Sequence, residues 1–410
     1  MLSTYSISGV TVVAPSKLLE KSSVLVRSGS IAQVGKKSKN DLPHENGHVL
    51  YPALINIHDH LRGTYLPRVG PPPGEFYLRC SSWERDLRGS EVVRERSNLS
   101  ADDCYLLGAY KSIFSGVATV NDHFPHKLND PIIPHLPVCV TREYTLHHEV
   151  SPYSLDWGDG IAKEHRRAQR KDYPFIVHTE EGFDADYQKG LEVLEEQGAL
   201  EEHSVLIHCL GFSEKDIART GEAGSTVVWC PASNYFMFNV TCKIRRILEA
   251  GINVALGTDS TATGSINLLE EMRFARQVYR KMYRQELSSR VLCDMVTSNA
   301  ARGLRIDGRK GTVEEGKAAD LLLLRTGLLD PYDALVEARI EDIELLTLNG
   351  VPLYGGRQYR GFFQLDRREY SDIVINGSPK FVRGDPAGLL ANIRRKVGYN
   401  KVLDFIPLDE

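Results

Sequence analysis

Four stretches of this 410-residue chain carry side chains that bind metals or move protons. The run YPALINI leads into His58-Asp59-His60, and PFIVHTEE carries His178 with Glu181 three residues further on. VLIHC brings in His208, and NVALGTD ends on Asp259. On a strand, His58 and His60 would project to one side, because side chains alternate with period two. Two imidazoles on one face are half of a metal site, and imidazole suits zinc or ferrous iron. Singly, each residue has a plainer reading: an incidental His-x-His, a satisfied core histidine, or Asp259 as a helix cap before Ser260. Together they are hard to dismiss. Glu181 is a candidate proton carrier, against the alternative of an exposed first-turn residue facing a helix dipole. Its neighbour Glu180 is read as solvated.

Something must hold these residues in place. From Ala53 onward, apolar runs (ALINIH, VATVND, VCVTR, FIVHT, VLIHC, TVVWCP, NVALGTD) alternate with charged, helix-like stretches such as SADDCYLLGAYKSIFSG. That alternation is the pattern of buried parallel strands with covering helices, an α/β architecture. The strand runs end on His58, Asp122, His178, His208 and Asp259. Polar residues at strand C-termini predict a (β/α)8 TIM-like barrel, whose site is built at that end. The first fifty residues read as a small antiparallel sheet, and GTVEEGKAADLLLL and IEDIELLTLNGVPLYGG return to short strands. We therefore expect a small β-sandwich domain from both chain ends (1–51 plus 320–380), a barrel over 52–319 and a helical tail over 381–410. Asp385 is the expected N-cap of the tail helix. Only residues 141–174 remain for the fourth barrel strand and its helix, so that strand is expected to be short or irregular.

Hydrophobic residues at 42% and charged residues at 25% fit a globular domain. A net charge of -4 gives no electrostatic footprint for nucleic acid or an anionic membrane. No apolar run is long enough to span a bilayer, and MLSTYSISGVTVV does not read as a signal peptide. The seven cysteines form no CxxC pair and read as reduced packing residues, which suits a cytoplasmic location. Cys209 and Cys230 stand beside the candidate site.

The order of these motifs resembles the amidohydrolase superfamily, in its branch of cytosine, guanine and S-adenosylhomocysteine deaminases and chlorohydrolases. The likeness is carried by PALINIHDHLRG, GVATVND, the HxxE of His178 and Glu181, CPASN at 230–234, GTDS at 257–260 and SNAARGLRIDGRKGTVEEGKAADLLLL at 298–324. It implies a metal-dependent hydrolase of non-peptide carbon–nitrogen bonds that deaminates a small nitrogen heterocycle with a metal-bound hydroxide. By that resemblance His58, His60, His178 and Asp259 hold one divalent ion, zinc first and ferrous iron second. Asp259 also takes the proton of the attacking water, His208 hydrogen-bonds the water or the developing oxyanion, and Glu181 protonates the ring nitrogen. No lysine stands at the end of a fourth strand to bridge two ions, which argues for one metal. Other readings of the same scaffold are a hydrolytic dechlorinase, a cyclic-amide hydrolase or a non-catalytic relative.

Trp83, Trp229, Asn234 and Phe236 are the expected substrate contacts, with 65–88 as a lid or pocket wall. Among His123, His126, His147 and His148, one is expected to face the pocket and the rest to pack or lie on the surface. The branch often has a histidine where Trp229 stands, and the residues after His208 read Cys-Leu-Gly-Phe. Both departures leave the ligand set intact. The implied partners are a heterocyclic substrate and water, with no nucleic acid and no membrane, and a homodimer is a family-level expectation.

Overall fold

The computed structural model describes residues 3–43, 47–327 and 329–409. Its strands, in chain order, are β1 (Thr4–Val13), β2 (Leu18–Arg27), β3 (Ser30–Val34), β4 (His48–Pro52), β5 (Leu54–Asp59), β6 (Val117–Asp122), β7 (Cys139–Val140), β8 (Thr145–Glu149) and β9 (Phe175–Thr179). They continue with β10 (Ser204–His208), β11 (Thr226–Trp229), β12 (Asn253–Leu256), β13 (Leu321–Arg325), β14 (Ile343–Leu348), β15 (Val351–Gly356), β16 (Tyr370–Ile375) and β17 (Ser378–Arg383).

The middle of the chain is α/β, with parallel sheets. β8 to β12 form a five-stranded sheet in sequential order, and β5, β6 and β7 form a second of three strands, with every pairing in both sheets parallel. β5, β9 and β10 are buried along their whole length, as apolar runs packed on both faces require. One face brings Ile55, Ile57, Ile176, Val205, Ile207 and Val228 into a single cluster spanning the two sheets. A bridge between Asp59 and Asp259 links the sheets where β5 and β12 end, and the Asp259 amide donates to the His58 carbonyl at 3.2 Å. The short strand is β7, of two residues; 141–174 accommodates both β8 and a helix over Ile161–Lys171. The irregularity thus falls one strand earlier than the sequence suggested, where the chain passes through the Ile133–His135 turn.

The chain ends pair with each other. β1, β2 and β3 are antiparallel neighbours, as their alternating patterns predicted. β4 then lies between β1 and β13, and nine strands join in the order β16-β17-β15-β14-β13-β4-β1-β2-β3. β4 runs into β5 across Pro52-Ala53, so one extended segment belongs to both the terminal sheet and the site. Asp385 caps the tail helix Pro386–Val397 by accepting from the Gly388 amide. Among the described residues no helix is long and apolar enough to cross a membrane.

Candidate metal centre

His58 and Asp59 end β5, and His60 follows at once. Asp59 fixes the backbone between the two histidines. Its carboxylate accepts from the His60 amide at 2.8 Å and from Asn56 Nδ2 at 3.0 Å, and it pairs with Lys111 Nζ at 2.8 Å. That lysine reaches in from the helix Ala101–Phe114, and both partners are buried. On the other side, Gly257 lets the end of β12 pass close to β5: a Cβ there would lie 2.7 Å from His58 Cβ. The result is convergence. Asp259 Oδ1 lies 3.6 Å from His58 Nε2 and 3.4 Å from His60 Nε2, and His178 Nε2 lies 3.3 Å from His58 Nε2.

Those spacings fit a bound cation. Donors about 2.0–2.1 Å from an ion, arranged tetrahedrally, stand roughly 3.4 Å apart. Two sets of ligand atoms lie mutually within 4.8 Å: His58, His60, His123 and His178, and His58, His208 and Asp259. Burial and the neighbouring imidazoles push His60 down to about 3, and they hold His123 and His178 well below the usual histidine range. Neutral rings offer lone pairs to a metal. Burial works against a charge on Asp259, yet the His58, His60 and His208 rings hold its carboxyl well below the usual carboxylate range. Ser233 Oγ at 2.6 Å, Thr263 Oγ1 at 3.0 Å and the Ser260 amide at 2.7 Å all donate to it.

A hydrogen-bond relay fixes the proton on His208. The Trp229 indole N–H can only donate, and it donates to Thr241 Oγ1 at 2.8 Å. Thr241 then donates to Asn234 Oδ1 at 3.0 Å, which turns the Asn234 amide N–H toward His208 Nδ1 at 2.9 Å. His208 Nδ1 therefore accepts and Nε2 carries the hydrogen, 3.4 Å from Glu181 Oε1. A ring with Nε2 protonated donates a hydrogen bond and is a poor ligand.

Glu181 is buried, and burial, aided by the Asp259 charge, raises its carboxyl well above the usual range. Both effects favour its protonated form. Glu181, His208, Asp259, His60 and His178 all line one cavity of about 320 Å³. Several of these residues sit in strained backbone: φ is 72° at His208, 52° at Cys209, 56° at Asp259 and 51° at Glu180. Left-handed conformations at non-glycine residues cluster at functional sites.

The expected substrate contacts divide. Trp83 lines the cavity, its indole N–H held by the Val69 carbonyl at 2.9 Å. Of the described residues on the cavity wall, none is Trp229, Asn234 or Phe236. The first two form the relay, and Phe236 packs on the Gly70 backbone and under Arg68, bracing the 65–88 segment. That segment is a wall, as expected, contributing Leu66, Cys80, Glu84, Leu87 and Arg88. Cys80, rather than Cys209 or Cys230, is the cysteine on the cavity.

Glu180 is not solvated. Its left-handed backbone turns the carboxyl inward, where it accepts from the Leu191 amide at 3.2 Å and burial pushes it up to about 8. Sequence reasoning did not single out Arg62, Phe124 or Trp157, all on the wall. It left His123 and His148 undivided from their neighbours. His148 faces the cavity and meets Glu84 at 3.2 Å, and His123 is buried in the histidine cluster. The signal for His123 was its place one residue beyond the β6 terminus.

Residues 172–355 match the amidohydrolase family. The 5-methylthioadenosine/S-adenosylhomocysteine deaminase of Acetivibrio thermocellus is 30% identical over 362 residues, covering 74% of this chain and 80% of that protein. Two solved structures share the fold. An adenosine deaminase from Xanthomonas campestris with bound zinc superposes with a TM-score of 0.74 at 19% identity, covering 95% of this chain and 97% of that one. Atrazine chlorohydrolase from Arthrobacter aurescens, complexed with zinc, gives 0.74 at 20% identity, covering 96% and 99%. The family match, the relative matched over about three quarters of the chain and the shared fold agree: this chain belongs to the amidohydrolase family and is a hydrolase.

Proposed function

We propose that the protein is a mononuclear, metal-dependent deaminase of a small nitrogen heterocycle bearing an exocyclic amine, with an adenine-type ring first among the candidates. In this reading the eight parallel strands close into a (β/α)8 barrel, supported by the Asp59–Asp259 bridge and the apolar cluster common to both sheets. The ends of the chain, 1–51 and 320–380, form the flanking domain. His58, His60, His178 and Asp259 hold the ion, zinc before ferrous iron, as the zinc in both structural neighbours supports. A divalent ion so held supplies Lewis acidity, lowering the pKa of water from about 15.7 toward ~7.

The chain's own residues do the rest. Asp259 Oδ2 is occupied by Ser233 and Thr263, and Oδ1, which accepts from the Ser260 amide and faces the histidines, takes a proton from the attacking water. His208 Nε2–H points into the cavity beside Glu181 and orients the nucleophile. Glu181 gives its proton to the ring nitrogen, which makes the amine-bearing carbon electrophilic, and receives one back for the leaving ammonia. Trp83, Phe124 and Trp157 offer flat apolar surface to a planar ring.

The observation that carries this reading is a buried carboxyl, Glu181, in the same cavity as the histidine–aspartate cluster. The deaminase relatives put amine release ahead of other leaving groups. The test is ammonia release from a panel of heterocyclic amines, adenosine-type compounds included, with metal content measured. Glu181→Gln should keep its metal and lose about 10²–10⁴-fold in kcat. No ammonia from any compound, with Glu181→Gln equal to the parent, would sink the proposal.

A further inference from the structure

His123 is the one buried imidazole in the cluster to which the reading above gives no role. Its position is set from two sides. Its amide donates to the Asp59 carbonyl at 2.9 Å, tying it to the strand end that carries His58 and His60. Its ring stands edge-on to Trp157, with centroids 5.8 Å apart. Its Nε2 lies 3.2 Å from the His147 carbonyl oxygen. A carbonyl only accepts, so Nε2 carries the hydrogen and Nδ1 presents a bare lone pair. Metal-ligating histidines are held in this manner, the second ring N–H donated to a carbonyl or carboxylate. His208 is the same tautomer turned the other way, with its Nε2 hydrogen aimed into the cavity.

Nδ1 of His123 points at the cluster, 3.3 Å from His178 Nε2. His178 Nε2 is also 3.3 Å from His58 Nε2. One ring nitrogen bears at most one hydrogen, which serves one of these contacts well and not both. A cation among them satisfies all three. The two 3.3 Å separations fall between the roughly 2.9 Å and 3.6 Å that donors about 2.0–2.1 Å from one ion span at 90° and 120°. Direction matters too. His58 and His123 are fully buried and absent from the cavity wall, whereas His60, His178, His208, Asp259 and Glu181 line it. A donor arriving from the His58 side leaves the substrate face open.

We propose that His123 Nδ1 is a fifth protein donor to the ion, so that four imidazoles and one carboxylate hold it. This rests on the reading that His58, His60, His178 and Asp259 form a metal site. The discriminating variant is His123→Gln, whose side-chain amide can still donate to the His147 carbonyl but places no donor atom where Nδ1 lies.

Zinc affinity would be measured by competition with a chromogenic chelator, and Co2+ used as a visible probe, both with the full chain. The proposal expects His123→Gln to bind zinc at least about tenfold more weakly. It also expects the weak visible bands of higher-coordinate Co2+ in the parent to intensify in the variant as a ligand is lost. In the Co2+-loaded parent, paramagnetically shifted proton spectra should show four exchangeable imidazole N–H signals. Three signals overturn the proposal, as does a variant with parental zinc affinity and cobalt spectrum. If the variant does not fold, the parental spectrum decides alone. If the parent binds metal no better than His58→Ala, the metal site itself is refuted, an outcome distinct from tight binding that ignores residue 123.

Discussion

Trp229 has an N–H to give and no atom that accepts, and this asymmetry sets the protonation of a residue three hydrogen bonds away. A histidine at the same position could donate or accept, so it would not dictate the direction of the relay. Asn234→Ala removes the donor to His208 Nδ1 and frees the ring to exchange tautomers. We expect nitrogen-15 spectra of histidine-labelled protein to show His208 protonated at Nε2 in the parent and mixed in Asn234→Ala. A fall in kcat of about 10–100-fold should accompany the change, with metal content unaltered. Unchanged nitrogen shifts would refute the relay. The histidines and aspartate of the candidate cluster were readable in the sequence because His-x-His at a strand end and a strand-end Asp are local patterns. Glu180 and Trp229 were not: whether a side chain turns inward depends on backbone sign at one residue, and a relay crosses three separate elements. Nothing in local spacing carries either.

At the scale of elements, the helix Ala101–Phe114 anchors the first ligand strand through Lys111 and is itself tied to the tail. Its N-terminus is a capping box, Ser100 and Asp103 each bonding the other's backbone. Asp103 also accepts from Asn392 and Lys396 of the tail helix. Burial would raise Asp103, but the bonds from Lys396 and Ser100 outweigh it and lower its pKa. A carboxyl depressed in the fold contributes stability above its unfolded value of about 3.9, and that contribution is lost as pH falls through the folded value. Asp103→Asn should therefore lower stability by about 1 kcal/mol at pH 7. The gap from the parent should close below about pH 3–4, read from thermal midpoints across that range. A gap that persisted in acid would show that the carboxylate charge is not what matters. The alternation of apolar runs and amphipathic helices made these elements predictable from local pattern alone. The shift of the short strand from fourth to third was not, because strand length here is set by pairing with β6, a non-local contact.

Across the whole molecule, the terminal sheet and the site share a continuous strand segment, β4 into β5. β4 has β1 on one side and β13 on the other, and the Ala53 amide donates to the Asp320 carbonyl at 2.9 Å. Residues 52–319 expressed alone would begin at β5 without that support. We expect this fragment to be aggregated or molten, judged by size-exclusion chromatography and near-ultraviolet circular dichroism, whereas the full chain is monodisperse and cooperatively folded. A soluble, cooperatively melting fragment would show that the barrel-like part is autonomous. The pairing of the two chain ends was readable from their shared character of short strands and turns. Their union in a nine-stranded sheet was not, since edge order depends on which strands meet last.

The position of β4 has a further consequence in time. A ribosome delivers His58 and His60 early, yet the partners that hold β4 and β5 in register, Asp259 and β13, follow more than two hundred residues later. Long-range parallel pairing is slow to form and leaves strand edges open meanwhile. In the nascent chain β6 can pair with β5 early, but the other edge of β5 stays open until the residues around Asp259 have been made. Yield in a cell should therefore depend on chaperone protection of that interval.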